Sequence, residues 1–357
     1  MSISIPLRSA AAVAAAISLT SIATPSAVTA QASGTFRVQG ERVEIYNIAG
    51  TVRVQSGSGS AVVVEIEAGG ADADKLSVET GTIGRAETLR VIYPDNRVVY
   101  PELHRGSRTQ IRVRSDGTFF GRRSRQGDRV TVTGSGRGLE AYADLTISIP
   151  SGQTVSIFLG VGEVEVSNVN GDLLIDVASA PVTTRDTRGE LSIDTGSGPV
   201  EVTNAEGDVS IDTGSGPVEI SGITGGSLFV DTGSGSVTGG DLEVGEMNID
   251  TGSGRIDLRN VTSANIRLDT GSGSVTLDLT IDVDLLDIDT GSGSVTVTIP
   301  DDLGAELSIE SGSGGIDFDM PVTVRRFNRR ELHGSIGDGR GVIRIDTGSG
   351  SVRFVRR

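Results

Sequence analysis

The chain has no cysteine, which excludes disulfides, thiolate zinc sites, cysteine nucleophiles and a lipidated N-terminal cysteine. It has no tryptophan, and its aromatics are 8 Phe and 4 Tyr in 357 residues. A sugar-processing groove paved with stacking aromatics is therefore poorly supplied. The two histidines, His104 and His333, leave little for a histidine metal site or a Ser-His-Asp relay. Positive charge is scarce overall, with 31 basic residues against 47 acidic and a net of −16, which argues against a general nucleic-acid binder. Lys75 is the single lysine, a bias we assign to codon usage. After the N-terminus no apolar run approaches the ~18–20 residues of a membrane-spanning helix.

What is present begins with an address. Residues 1–32 combine Arg8, a mildly apolar stretch from Ala10 to Ala23, and small residues at Val28-Thr29-Ala30 or Ala30-Gln31-Ala32 that suit signal peptidase. The expectation is a chain exported by a signal peptide to the periplasm, the cell surface or the medium. The mature chain would have no transmembrane segment.

The main signal is an internal repeat. Asp-Thr-Gly-Ser-Gly starts at Asp194, Asp212, Asp231, Asp250, Asp269, Asp289 and Asp346. A near copy starts at Glu310 and a degenerate one at Asp176. From Asp176 to Glu310 the starts fall 18–21 residues apart, and the last step, 36, reads as two periods. The residue before the Asp is always apolar (Ile175, Ile193, Ile211, Val230 and onward), as are those three before and six after. Alternation as in Val209-Ser210-Ile211-Asp212-Thr213 is a strand with Val and Ile inward. Gly-Ser-Gly is then a turn and Pro217-Val218-Glu219-Ile220 a second strand. A third, shorter side absorbs the length drift. One such turn cannot bury its apolar face, whereas stacked turns share a core. The fold class expected is all-β, an elongated single-stranded β-solenoid of 18–21 residues per turn.

Outward Asp side chains are expected to brace the turn by bonding the backbone two residues on. A stack of carboxylates also invites a cation ladder. Charges ~4.8 Å apart repel by roughly 0.9 kcal/mol even in water, so Asp194, Asp212, Asp231, Asp250, Asp269 and Asp289 are weak Ca²⁺ candidates. No other cofactor is expected.

Charge is segregated. Residues 85–137 hold 12 Arg and 5 acids (+7), residues 138–324 hold 5 Arg and 32 acids (−27), and residues 325–357 hold 9 Arg and 3 acids (+6). The expected organisation is a signal peptide (1–32), an N-terminal solenoid part (33–140) with an Arg-rich insertion near 93–129, regular repeats (141–324), and an irregular basic segment with a closing turn (325–357). Charge at open sheet edges blunts aggregation, which accounts for basic ends without any ligand. As a binding loop, the insertion offers Phe119, Phe120, Arg122, Arg123 and Arg125 to an envelope glycan, another anionic surface polymer or an envelope protein.

The Asn47-Ile48-Ala49-Gly50-Thr51-Val52 opening, the Leu145-Thr146-Ile147-Ser148-Ile149-Pro150 strand and the repeated turns resemble the bacterial putative adhesin family, related to auto-transporter-like adhesin head domains. So does Ile336-Gly337-Asp338-Gly339 with its closing Asp346-Thr347-Gly348-Ser349-Gly350 turn. The resemblance covers most of residues 36–355. It implies an exported, right-handed solenoid and favours surface binding, with no site attached. The expectation is an adhesin-like or structural envelope protein without catalysis. The rivals are a polysaccharide-processing β-helix enzyme and a passive spacer. Aspartic-protease chemistry needs two facing Asp-Thr-Gly loops that share a proton, whereas these copies run in parallel down one side.

Overall fold

The computed structural model describes residues 28–121 and 125–357. The expected leader, residues 1–32, lies outside the described residues up to residue 27, and the strand Val28–Gln31 follows. From residue 42 onward the chain builds a stack of parallel rungs. Asp176 pairs with Asp194, Asp194 with Asp212, Asp212 with Asp231, and so on through Asp250, Asp269 and Asp289. The isoleucine column stacks with them, and Ile193, Ile211, Ile249 and Ile288 are at most 2% exposed. The second strands stack likewise, Val182 on Val200 on Val218 on Val237. The alternation repeated in every copy thus becomes continuous aliphatic ladders along the interior.

Six successive second strands bend onto the short side at a residue with left-handed backbone: Asn168, Asp186, Asn204, Gly222, Asp241 and Asn260, with φ between 51° and 64°. Asn and Asp tolerate that conformation because their short polar side chains bond locally. Here they also bond each other across rungs, Asn204 Nδ2 donating to Asp186 Oδ1 and Asn260 Nδ2 to Asp241 Oδ1, both at 3.0 Å.

The stack order departs from the chain order at one point. Asp289 pairs with Asp346, and Asp346 with Glu310. The second strands agree, Val295 pairing with Val352 and Val352 with Ile316. The closing rung, Gly341–Thr347 and Val352–Arg356, therefore lies between two rungs that precede it in sequence. The interval of 36 residues holds no extra rung but a hairpin, Thr323–Asn328 with Glu331–Ile336, whose second strand pairs antiparallel with Ala305–Ser311. That hairpin occupies the far edge of Ala305–Ser311, so the closing strand takes the near edge.

The opposite end is capped differently. Residues 33–84 contribute one long parallel strand, Arg42–Gly57, which pairs with Gln153–Ser179. Gly34–Val38, Val62–Gly69 and Ser77–Ile83 are antiparallel covers and not further rungs. The insertion is a module with its own four-stranded sheet, in the order Leu139–Glu140, Arg97–Val99, Asp128–Thr133, Arg108–Val113. Its inner face, with Val98, Ile111, Val130 and Val132, forms one buried cluster with Tyr46, Ile48, Ala49, Phe158 and Val161 of the first rungs.

Candidate functional site

Outward positions along the Asp face explain where the module sits. Tyr46 pairs with Phe158 in the line that the aspartates continue, and their rings stack at 4.4 Å. Phe119 packs edge-on against Tyr46 at 5.5 Å. The line is aromatic where the module covers it and carboxylate where water does. Phe119, expected as an apolar contact of a binding loop, is 1% exposed and belongs to this core. Phe120 leans on it at 4.8 Å and is half-buried. Arg125 is exposed, while Arg122 and Arg123 lie outside the described residues.

The sheet of the module also presents exposed charge. With Ile111, Val130 and Val132 turned inward, period-2 alternation turns Arg108, Gln110, Arg112, Arg129 and Thr131 outward. Arg112 and Arg129 are directly opposite one another, and Arg97 faces Thr131 on the neighbouring strand. Like charges opposite one another destabilise a sheet. Among the described residues no carboxylate forms an ion pair with Arg97, Arg108, Arg112 or Arg129. Arg112 Nη1 donates to the Gly127 carbonyl at 3.1 Å, and the Gln110 amide, assigned with its oxygen turned to the guanidinium, accepts from Arg108 Nη2 at 2.7 Å. Neutral partners thus hold two of the guanidinium groups in place while their charge stays uncompensated. The alternation Arg108-Thr109-Gln110-Ile111-Arg112 was the signal in the sequence, hidden behind the denser run at 122–125.

The Asp ladder is the surface of opposite charge. Asp194 through Asp289 are exposed and stand at strand spacing, ~4.8 Å apart. Partial withdrawal from water raises the carboxyl pKa of Asp194, Asp212, Asp269 and Asp289, and the next carboxylate in the ladder adds to it. Asp176, at the edge of the module, goes furthest: burial, then the charge of Asp194, push it up to about 7. Among the described residues no three Asp, Glu or His converge on a point where a metal could sit. Side chains in a parallel ladder point the same way, so a cation between rungs meets two carboxylates, whereas Ca²⁺ takes 6–8 oxygens.

The turn is braced by threonine rather than aspartate. Thr251 Oγ1 accepts from Gly254 N at 2.9 Å and donates to Gly235 O of the preceding rung at 3.0 Å. Thr270, Thr290 and Thr347 do the same, and all four are fully buried. The Asp is left free to face solvent.

A shallow groove of about 460 Å³ runs along the short side past Asn170, Arg188, Glu206 and Thr224. Arg188 pairs there with Glu206 at 2.6 Å, and Asp186 accepts from Asn204 at 3.0 Å. His104 is exposed, and His333 meets Glu331 at 2.9 Å.

The architecture is thus an all-β stacked-rung protein whose polar faces repeat at the strand spacing. Residues 102–354 match the model of the Toastrack DUF4097 family, and the chain belongs to that family. No curated protein is significantly similar to it. Among solved structures it is similar to one described as a putative cell adhesion protein from Clostridium sporogenes. That match has 10% identity and a TM-score of 0.23, over 93% of this chain and 100% of the other. So slight a likeness carries no argument.

Proposed function

We propose that the protein is an exported, adhesin-like binding module without catalysis, which holds an anionic envelope polymer on the arginine face of its inserted sheet. The rod is then a spacer, a single-stranded β-solenoid of 18–21 residues per turn with the usual right-handed crossover. The observation that carries this reading is the Arg112–Arg129 pair, directly opposite and without a counter-ion. Guanidinium groups bond carboxylate and phosphate oxygens with two parallel donors, so a glycan or phosphodiester polymer supplies the missing charge. The insertion remains the binding element, and the site moves from the 119–125 loop to Arg97, Arg108, Arg112 and Arg129.

The test is binding of the full chain to polygalacturonate and to neutral dextran. Binding to the first alone is expected, with at least a tenfold loss in Arg112→Glu plus Arg129→Glu, a loss of about 1.4 kcal/mol. Equal binding to dextran, or an unaffected double variant, would sink the reading.

A further inference from the structure

The molecule carries two uncompensated surfaces of opposite sign. One is the arginine face, with Arg97, Arg108, Arg112 and Arg129. The other is the ladder from Asp194 to Asp346, whose carboxylates repel one another. Among the described residues, the aspartates from Asp194 to Asp289 in the ladder form no ion pair. The two surfaces do not neutralise each other within one chain, because the module stands with its apolar side on Tyr46 and Phe158 and turns its arginines away.

We infer that the occupant of the ladder is the arginine face of a second copy of this chain. Three features fit. The charges are complementary. Both rows repeat at the spacing of neighbouring strands, so Arg112 and Arg129 on adjacent strands meet adjacent carboxylates when the two sheets pack with strands aligned. The module also stands on the same face as the ladder, at one end of it. Two rods laid antiparallel with Asp faces opposed therefore each bring an arginine face onto the partner's ladder. The contact is made twice and closes as a two-fold dimer. The seven carboxylates from Asp194 to Asp346 span roughly 29 Å and the four module strands roughly 15 Å, so both modules fit side by side between the rods. This rests on the arginine face being a binding surface and names its protein partner; polymer and second copy compete for it.

The experiment is light scattering of the full chain at low and high salt, with a charge-swap pair. The chain is expected to be a dimer at about 20 mM salt, where the Debye length is roughly 20 Å, and a monomer at about 0.5 M, where it has shrunk to roughly 4 Å and attraction between the facing charge rows is largely screened. Asp231→Arg plus Asp250→Arg, and separately Arg112→Glu plus Arg129→Glu, are each expected to be monomeric. An equimolar mixture restores the dimer, because the basic module of the first variant meets the acidic ladder of the second and vice versa. Far-UV circular dichroism and melting confirm that each variant is folded. Asp231→Asn plus Asp250→Asn, which keeps side-chain size, is expected to weaken the dimer at least fivefold. A monomer at every salt concentration, or a dimer indifferent to both reversals, overturns the inference. The ladder variants are expected to keep polygalacturonate binding, so loss of dimerisation with binding intact is distinct from failure of the polymer reading.

Discussion

At the scale of single residues, each repeat position has a separate physical task. Thr251 closes its own turn and ties it to the rung before, so Thr251→Val leaves a buried amide and carbonyl without these bonds. A loss of about 1–3 kcal/mol is expected in urea unfolding. Gly254 has no such latitude, because a methyl there collides with the Gly235 carbonyl below. Gly254→Ala is expected to cost about 3 kcal/mol or more in the same measurement. Asp176 acts through pH. Its carboxyl ionises at about 7 in the fold and near 3.8 in the unfolded chain. Between those values the folded state binds the extra proton, so stability falls as pH rises. Asp176→Asn removes that slope. Its melting temperature is expected to exceed the parent's above pH 7, by the equivalent of about 1–3 kcal/mol given partial solvent screening, and to match the parent's below pH 3.8. An equal gain at both pH values would assign the effect to packing.

Among the elements, the repeat strands were legible in the sequence because the same apolar columns recur in every copy. Their spatial order was not. Each Asp-Thr-Gly-Ser-Gly rung offers nearly the same edges, so the pattern says what can stack on what without saying which copy is next. The hairpin at 323–336 decides it by taking the far edge of Ala305–Ser311. Because the chain lacks cysteine, the order can be read directly. Asp289→Cys plus Asp346→Cys is expected to form a disulfide on mild oxidation, as adjacent in-register positions fall within bridging distance. Asp289→Cys plus Glu310→Cys, two rungs apart, is not. The insertion was legible as a basic interruption, whereas its sheet was not. Phe119 read as an exposed contact because sequence alone does not reveal that Tyr46 and Phe158, far away in the chain, supply an apolar seat for it. The assignment of the turn brace to Asp failed for a local reason: both Asp and Thr can accept from a turn amide, and only the alternation of the strand places Thr inside, beside the glycine backbone.

For the whole molecule, charge separation is the organising fact. Removing the aromatic seat, as in Tyr46→Ser plus Phe158→Ser, is expected to free the module from the stack while leaving the rungs intact. Limited proteolysis would then cut within 97–140 and spare residues 182–299. Cleavage spread through the rungs would show instead that module and rod fold as one unit.

The interleaved closing rung has a temporal corollary. A solenoid that grew strictly in sequence could zip up behind the emerging polypeptide, each coil sealed before the next arrived. Here the coil at 305–318 has to wait with one side unmated until later residues slip into the gap. Completion is thereby deferred until residues 341–356 have emerged, and a product cut short upstream of residue 341 betrays itself by an unfilled seam.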